Sequence, residues 1–168
     1  MRPITAVIKA TPVASFIILV LLWFSGKNLS VIISMLMVFP VIYMNVLEGI
    51  RSADEELLEM AQVFRLSVGK KLLYIYLPAV APFFVSACSV SLGLCWKSGI
   101  AAEVIGTPDG SIGAVFYQAK IFLQTSELLA WTVVVVAVSV AFEKLFMFLL
   151  RLILKKLKME DVLNGKRA

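Results

Sequence analysis

Residues Ser52–Pro78, SADEELLEMAQVFRLSVGKKLLYIYLP, form the longest charged and amphipathic interval between hydrophobic runs. Ser52 followed three residues on by Glu55 is a capping-box pattern, which predicts a helix beginning at Ala53. Leu57, Met60, Ala61 and Phe64 then fall at i, i+3, i+4 and i+7, one apolar stripe, with Asp54, Glu55, Glu59 and Gln62 on the other faces. Arg65 to Gly69 breaks the pattern, and a second short helix over Lys70–Tyr76 leads into Leu77-Pro78. The stretch reads as a short helix, a turn and a second helix entering a membrane, an element built to dock on something.

Working outward, the surroundings are far too apolar for a soluble domain. Of 168 residues, 61% are hydrophobic, and the mean hydropathy is +0.95. Several runs approach the roughly 20 apolar residues that a bilayer span requires. The net charge of +5 does not point to nucleic acid, because the basic residues flank hydrophobic spans and form no continuous stripe. The absence of histidine excludes a histidine metal site or proton relay. Cys88 and Cys95, seven apart in a hydrophobic run, read as small packing residues rather than a disulfide or metal framework. Met1 runs through Arg2-Pro3 into a proline-interrupted segment, a start that predicts no cleaved signal peptide.

Four spans are predicted. The first, Ile4–Phe24, contains Lys9 and Pro12, and so reads as a broken or tilted helix facing protein or a water-filled path. The second, Leu29–Leu47, holds Pro40 in mid-helix, which predicts a kink. The third, Ala79–Trp96, carries the small residues Ser86, Ala87, Ser89, Ser91 and Gly93, suited to close helix approach. The fourth, Leu128–Leu154, carries Glu143-Lys144, whose side chains point about 100° apart and so seek partners on other helices or snorkel. Between the last two lie a turn at Gly106–Gly110 and a short amphipathic helix over Ser111–Leu123. No internal repeat or linker interrupts the chain, so a single domain over 1–168 is the economical reading.

Basic residues orient the chain. With the Ser52–Pro78 loop inside, the cytoplasmic side collects Arg51, Arg65, Lys70, Lys71 and the basic tail, and the opposite side keeps Lys27, Lys97 and Lys120. Both termini then lie in the cytoplasm.

Glu59-Met60-Ala61, Arg65, Ser67, Ile75 and Leu77-Pro78 stand at the spacing of the EAA motif, the cytoplasmic coupling loop of the membrane subunits of ABC importers. Glu59, Ala61, Ser67, Leu77 and Pro78 match the motif, Met60 replaces its second position, and Arg65 stands where glycine is usual. Further stretches resemble permeases of the nitrate, sulfonate and taurine group: Arg2-Pro3-Ile4, Leu22-Trp23-Phe24, Glu48-Gly49-Ile50-Arg51, Gly93-Leu94-Cys95-Trp96, Ala101-Ala102-Glu103 and Gly110-Ser111-Ile112-Gly113. The resemblance implies an all-α, polytopic fold of the type I importer permease kind, with about four transmembrane helices plus a coupling helix. It further implies a prokaryotic plasma-membrane location, an ABC ATPase docked on residues 52–78 through Met60, Phe64 and their neighbours, an extracytoplasmic solute-binding protein, and a homodimer in the lipid bilayer. ATP would be used by the partner, since this chain has no G-x-x-x-x-G-K-[ST] loop and binds no cofactor directly. Members of the group are usually longer, so the chain reads as lacking N-terminal helices.

Pro12, Lys97, Ser98 and Glu103 are the candidates for a translocation path. Lys97, at the outer end of a span of apolar and small residues, would favour a small anion, unless its stem merely snorkels to the headgroups. Glu103 could line a gate or simply cap a helix end. Trp23, Trp96 and Trp131 lie near span ends, which favours interfacial anchoring. The alternatives are a carrier of a thiamine-precursor pyrimidine, a non-transporting fragment that keeps the docking loop, and a membrane-embedded enzyme, for which the scattered acids offer little chemistry.

Overall fold

A computed structural model describes residues 12–24 and 28–156, and every regular element among them is helical. In chain order these are α1 (Val13–Trp23), α2 (Leu29–Arg51), α3 (Glu55–Val63), α4 (Val68–Lys71), a π-helical turn (Leu72–Tyr76), α5 (Leu77–Gly106), α6 (Ile112–Ile121) and α7 (Thr125–Lys156).

Among the described residues, three stretches are long and apolar enough to cross a membrane: Leu29–Arg51, Val68–Gly106 and Thr125–Lys155. The predicted first span is described only in part. Its described part, α1, has 11 residues, a rise of about 16 Å against a hydrocarbon core of about 30 Å. The start of that span, with Lys9, lies outside the described residues.

At the third span, residues 68–106 form one helical stretch of 39 residues, so the second helix of the loop enters the span as predicted, and the span runs on past Trp96 to Gly106. The stretch holds Pro82 inside the helix and, earlier, a wide turn, closed by Leu77 N–H donating to the Leu72 carbonyl. Pro78 supplies the reason. It has no N–H to give the Tyr74 carbonyl, and in a regular α-turn its ring would press on that oxygen. A widened turn just ahead of it relieves the clash and lets the helix continue.

The described chain divides into two compact units, the first built from residues up to Pro40 and Ser91–Lys144, the second from Val41–Val90 and the residues from Leu145 on. Each of α2, α5 and α7 contributes to both.

In the first unit, Ile17, Leu29, Ile33 and Ala102 form a buried cluster, flanked by Phe16, Val20, Leu21 and Met37. Between helices in lipid, burying such side chains stabilises little, because lipid tails are as apolar as leucine; close backbone approach and interhelical hydrogen bonds decide. Both are present. Ser34 Oγ donates to the Cys95 carbonyl at 3.1 Å, and a Cβ on Gly99 would sit 3.0 Å from Ser34 Oγ.

The corner between α5 and α6 is tight. Thr107 takes φ 41° and closes α5 by donating its N–H to the Glu103 carbonyl at 2.7 Å. Gly110, at φ 74°, sits inside a turn closed by Ser111 N–H to the Pro108 carbonyl at 3.2 Å. Ser111 then caps α6, its Oγ accepting from Ala114 N–H at 3.1 Å. The predicted helix over Ser111–Leu123 is thus confirmed with slightly shorter bounds.

In the second unit, Gly49 of α2 lies on the backbone of α5, where an added Cβ would come within 2.8 Å of Val80 Cα. Ala81 and Leu154 are buried together, with Val85 and Leu150 beside them. Of the small residues predicted to pack, Ala87 is buried and Ser86 exposed.

Candidate functional site

The first helix of the loop begins two residues later than its sequence pattern predicts, at Glu55 rather than Ala53. Ser52 N–H still donates to the Glu48 carbonyl at 2.9 Å, and Ser52 Oγ donates to the Gly49 carbonyl at 2.9 Å, finishing α2. The cap of α3 is Asp54, whose Oδ1 accepts from Glu56 N–H at 3.0 Å. Glu55 and Glu56 in the first turn complement the positive end of the helix. The Ser52–Glu55 capping box is therefore not formed.

The far end of α3 is a Schellman motif. Leu66 N–H donates to the Ala61 carbonyl at 2.9 Å and Arg65 N–H to the Gln62 carbonyl at 3.0 Å, with Arg65 left-handed at φ 49°. Arginine thus fills the glycine position in the conformation glycine would adopt. The accompanying apolar contact is present too, since Leu66 packs on the cluster that contains Ala61.

This turn folds the two legs of the loop together. Ala53, Ala61 and Ile75 form a buried core, with Leu58, Leu66, Tyr76 and Ala79 packed against it. The predicted stripe of Leu57, Met60, Ala61 and Phe64 is accordingly split. Ala61 is fully buried, whereas Met60 is 47% and Phe64 72% exposed. Val63 and Val68 are also outward-facing, at 79% and 83%. Glu59, Arg65 and Ser67 are exposed, and Leu77 and Pro78 form the first turn of α5. The loop thus has an apolar inside that holds its shape and a second apolar surface turned outward.

A separate feature lies in the first unit: a cavity of about 570 Å³ walled by α5, α6 and α7. Gly93, Trp96, Lys97 and Ile100 come from α5, Phe116 from α6, and Thr132, Val135, Val136, Ser139 and Glu143 from α7. Trp96 meets Phe142 edge-on, ring centroids 6.1 Å apart. The hydroxyls of Thr132 and Ser139 donate to their own helix, at Leu128 (2.7 Å) and Val136 (3.0 Å). Their oxygens keep acceptor capacity.

The four path candidates separate here. Lys97 lines the cavity. Ser98 is buried, its Oγ donating to the Cys95 carbonyl at 3.3 Å. Glu103 accepts from Gly113 N–H through Oε2 at 3.1 Å, and Pro12 is the N-cap residue of α1. Trp96, read from sequence as an interfacial anchor, is a wall residue; Phe116 and Glu143 were not among the path candidates. A signal for Trp96 and Glu143 exists: Gly93, Trp96, Lys97 and Ile100 follow i, i+3, i+4, i+7, and Thr132, Val135, Val136, Ser139 and Glu143 continue the same spacing to i+11.

Among the described residues, three helices of bilayer length and apolar composition mark an all-helical membrane protein. The model of the family described as "Binding-protein-dependent transport system inner membrane component" matches residues 1–159, and the chain belongs to that family. It is 28% identical over 155 residues to the putative aliphatic sulfonates transport permease protein SsuC of Bacillus subtilis (strain 168), covering 91% of this chain and 55% of the relative. It is 37% identical over 135 residues to the protein of the same description in Escherichia coli (strain K12), covering 78% and 48%. It is 27% identical over 142 residues to the taurine transport system permease protein TauC of the same strain, covering 84% and 51%. The chain spans about half the length of these relatives.

Proposed function

We propose that this chain serves as the membrane-spanning permease subunit of an ATP-driven importer. It acts as one permease domain that docks an ABC ATPase through residues 52–78 and provides part of the solute path. The observation that carries the reading is the outward apolar surface of the loop. Met60, Val63, Phe64 and Val68 are exposed on an element whose own core is already filled by Ala61, Ile75 and Leu66. Large apolar groups on a water-side loop are stabilised by a partner that covers them. ATP acts in that partner, and an extracytoplasmic binding protein delivers the solute. Two copies of the chain form the working unit, each with both termini in the cytoplasm.

The solute we infer is a small anion of the sulfonate class. Relatives named for aliphatic sulfonates and taurine support it, as does a lysine on the cavity wall beside two aromatic rings. The ammonium of Lys97 would attract the anionic head, and Trp96 and Phe116 would shelter its carbon chain. The test is uptake of taurine and methanesulfonate by the assembled importer carrying Lys97→Met or Lys97→Glu. Both variants lower uptake, Glu more than Met, with expression and ATPase assembly unchanged. Equal uptake by all three proteins would remove Lys97 from the path.

A further inference from the structure

We propose that Glu103 is a positioning residue of the cavity: its carboxylate latches the first turn of α6 onto α5 and thereby places Phe116 in the wall that Trp96 and Lys97 share. The function of the cavity as a solute path rests on the reading above; the latch itself does not.

Three observations meet at this point. Glu103 Oε2 accepts the N–H of Gly113 at 3.1 Å, ten residues along the chain and on another helix. Gly113 is buried, and a Cβ built on it would overlap the Cβ and carbonyl carbon of Glu103 and come within 2.5 Å of Val104 N. The two backbones therefore touch at the hydrogen bond, a spacing only glycine permits. Third, the corner joining the helices is held in an unfavourable conformation. Thr107 is β-branched and left-handed, at φ 41°, a region such residues rarely occupy. A connection with that local preference does not by itself keep α6 in place.

The chemistry suits a latch. The N–H groups of a first helical turn have no partner within the helix. Here Ser111 takes that of Ala114 and Glu103 takes that of Gly113. A carboxylate also complements the positive end of α6. Phe116 follows Gly113 by three residues, one turn on, and lines the cavity. Moving the first turn of α6 moves Phe116 with it.

The test uses the full chain in lipid nanodiscs with Trp23→Phe and Trp131→Phe, which leaves Trp96 as the one tryptophan of three. Acrylamide quenching of Trp96 then reads how well the cavity wall is closed, with Phe116→Ala as the open-wall reference. Losing a hydrogen bond to a charged acceptor shifts a docked population roughly tenfold or more, so Glu103→Leu should match the quenching of Phe116→Ala. Gly113→Ala, acting from the other side of the contact, should do the same. Glu103→Gln retains an acceptor oxygen and should quench like the parent. Parent-like quenching in Glu103→Leu overturns the latch, and so does a Gln variant that behaves like Leu. Parent-like quenching in Phe116→Ala overturns the placement of Phe116.

A second arm measures taurine and methanesulfonate uptake with the ATPase assembled. Glu103→Leu should raise KM roughly tenfold without loss of assembly, and Glu103→Gln should restore it. Opened quenching with unchanged KM would uphold the latch and remove the cavity from the solute path, so the two readings fail separately.

Discussion

Arg65 stands where a glycine would fit the backbone without steric strain, and the loop adopts the glycine conformation regardless, at φ 49°. A left-handed conformation costs an L-residue roughly 1–2 kcal/mol, while glycine loses roughly 0.5–1 kcal/mol through its freer unfolded chain. Arg65→Gly should therefore stabilise the loop by about 0.5 kcal/mol net and leave ATPase assembly intact; the rate of limited proteolysis within 52–78 measures it. A large loss of assembly would mean that the guanidinium itself touches the partner. Ala61 behaves differently, because it is buried inside the loop and not on its surface. Ala61→Asp puts an unpaired charge among Ala53, Ile75 and Leu66, at a cost of several kcal/mol. Protease sensitivity of the loop should rise even without the ATPase present. Phe64→Ala should spare the loop and weaken assembly by about 2 kcal/mol or more, the scale of a buried aromatic anchor. Pull-down of the ATPase distinguishes the two, and a Phe64→Ala protein that assembles normally would move the docking surface elsewhere.

At the scale of elements, the stretch from Val68 to Gly106 is the unusual one, because the second leg of the loop and the helix bearing Trp96 and Lys97 are continuous. The wide turn at Leu72–Tyr76 changes its pitch, and Pro78, just after it, lacks the N–H that a regular turn would give the Tyr74 carbonyl. Pro78→Ala restores an N–H that can reach Tyr74, allowing a regular turn and re-aiming the residues before it, since each residue advances a helix by about 100°. Assembly with the ATPase should fall while membrane insertion is unchanged. Insertion with full assembly would show that the turn has another origin. Gly49 is a second constraint on element packing. Gly49→Leu would force α2 from the Val80 backbone, and reduced yield of folded protein in detergent is the expected result.

For the whole molecule the open quantity is orientation, which basic-residue bias predicts. With Cys88 and Cys95 replaced, a single cysteine at Gln62 should react with a membrane-impermeant maleimide only in inside-out vesicles, and one at Asp109 only in right-side-out vesicles. Reaction of both from one side would break the proposed arrangement of spans. Family membership and exposed apolar helices place the chain in the inner membrane, where the outward faces of α7, such as Val133, Leu145 and Ile153, meet lipid or other protein without penalty.

Hydropathy alone determined that the chain is helical and membrane-spanning, because a bilayer admits few backbones and 20 apolar residues in a row leave little else. Local spacing likewise marked out the helix–turn–helix of 52–78, since the pattern from Glu59 to Pro78 is contiguous. The cap went to Asp54 rather than Ser52 because α2 runs to Arg51 and takes Ser52 into its last turn, a competition no motif three residues wide can register. Ala61 turned from surface to core because the second leg folds back and covers it with Ile75. Glu103 accepts the N–H of Gly113 because Gly113, ten residues on and across a turn, arrives at its backbone. In each case the sequence specifies which residues can make a contact, and the outcome depends on which other segment arrives to make it; packing between distant segments carries that information, and only the tertiary structure decides it.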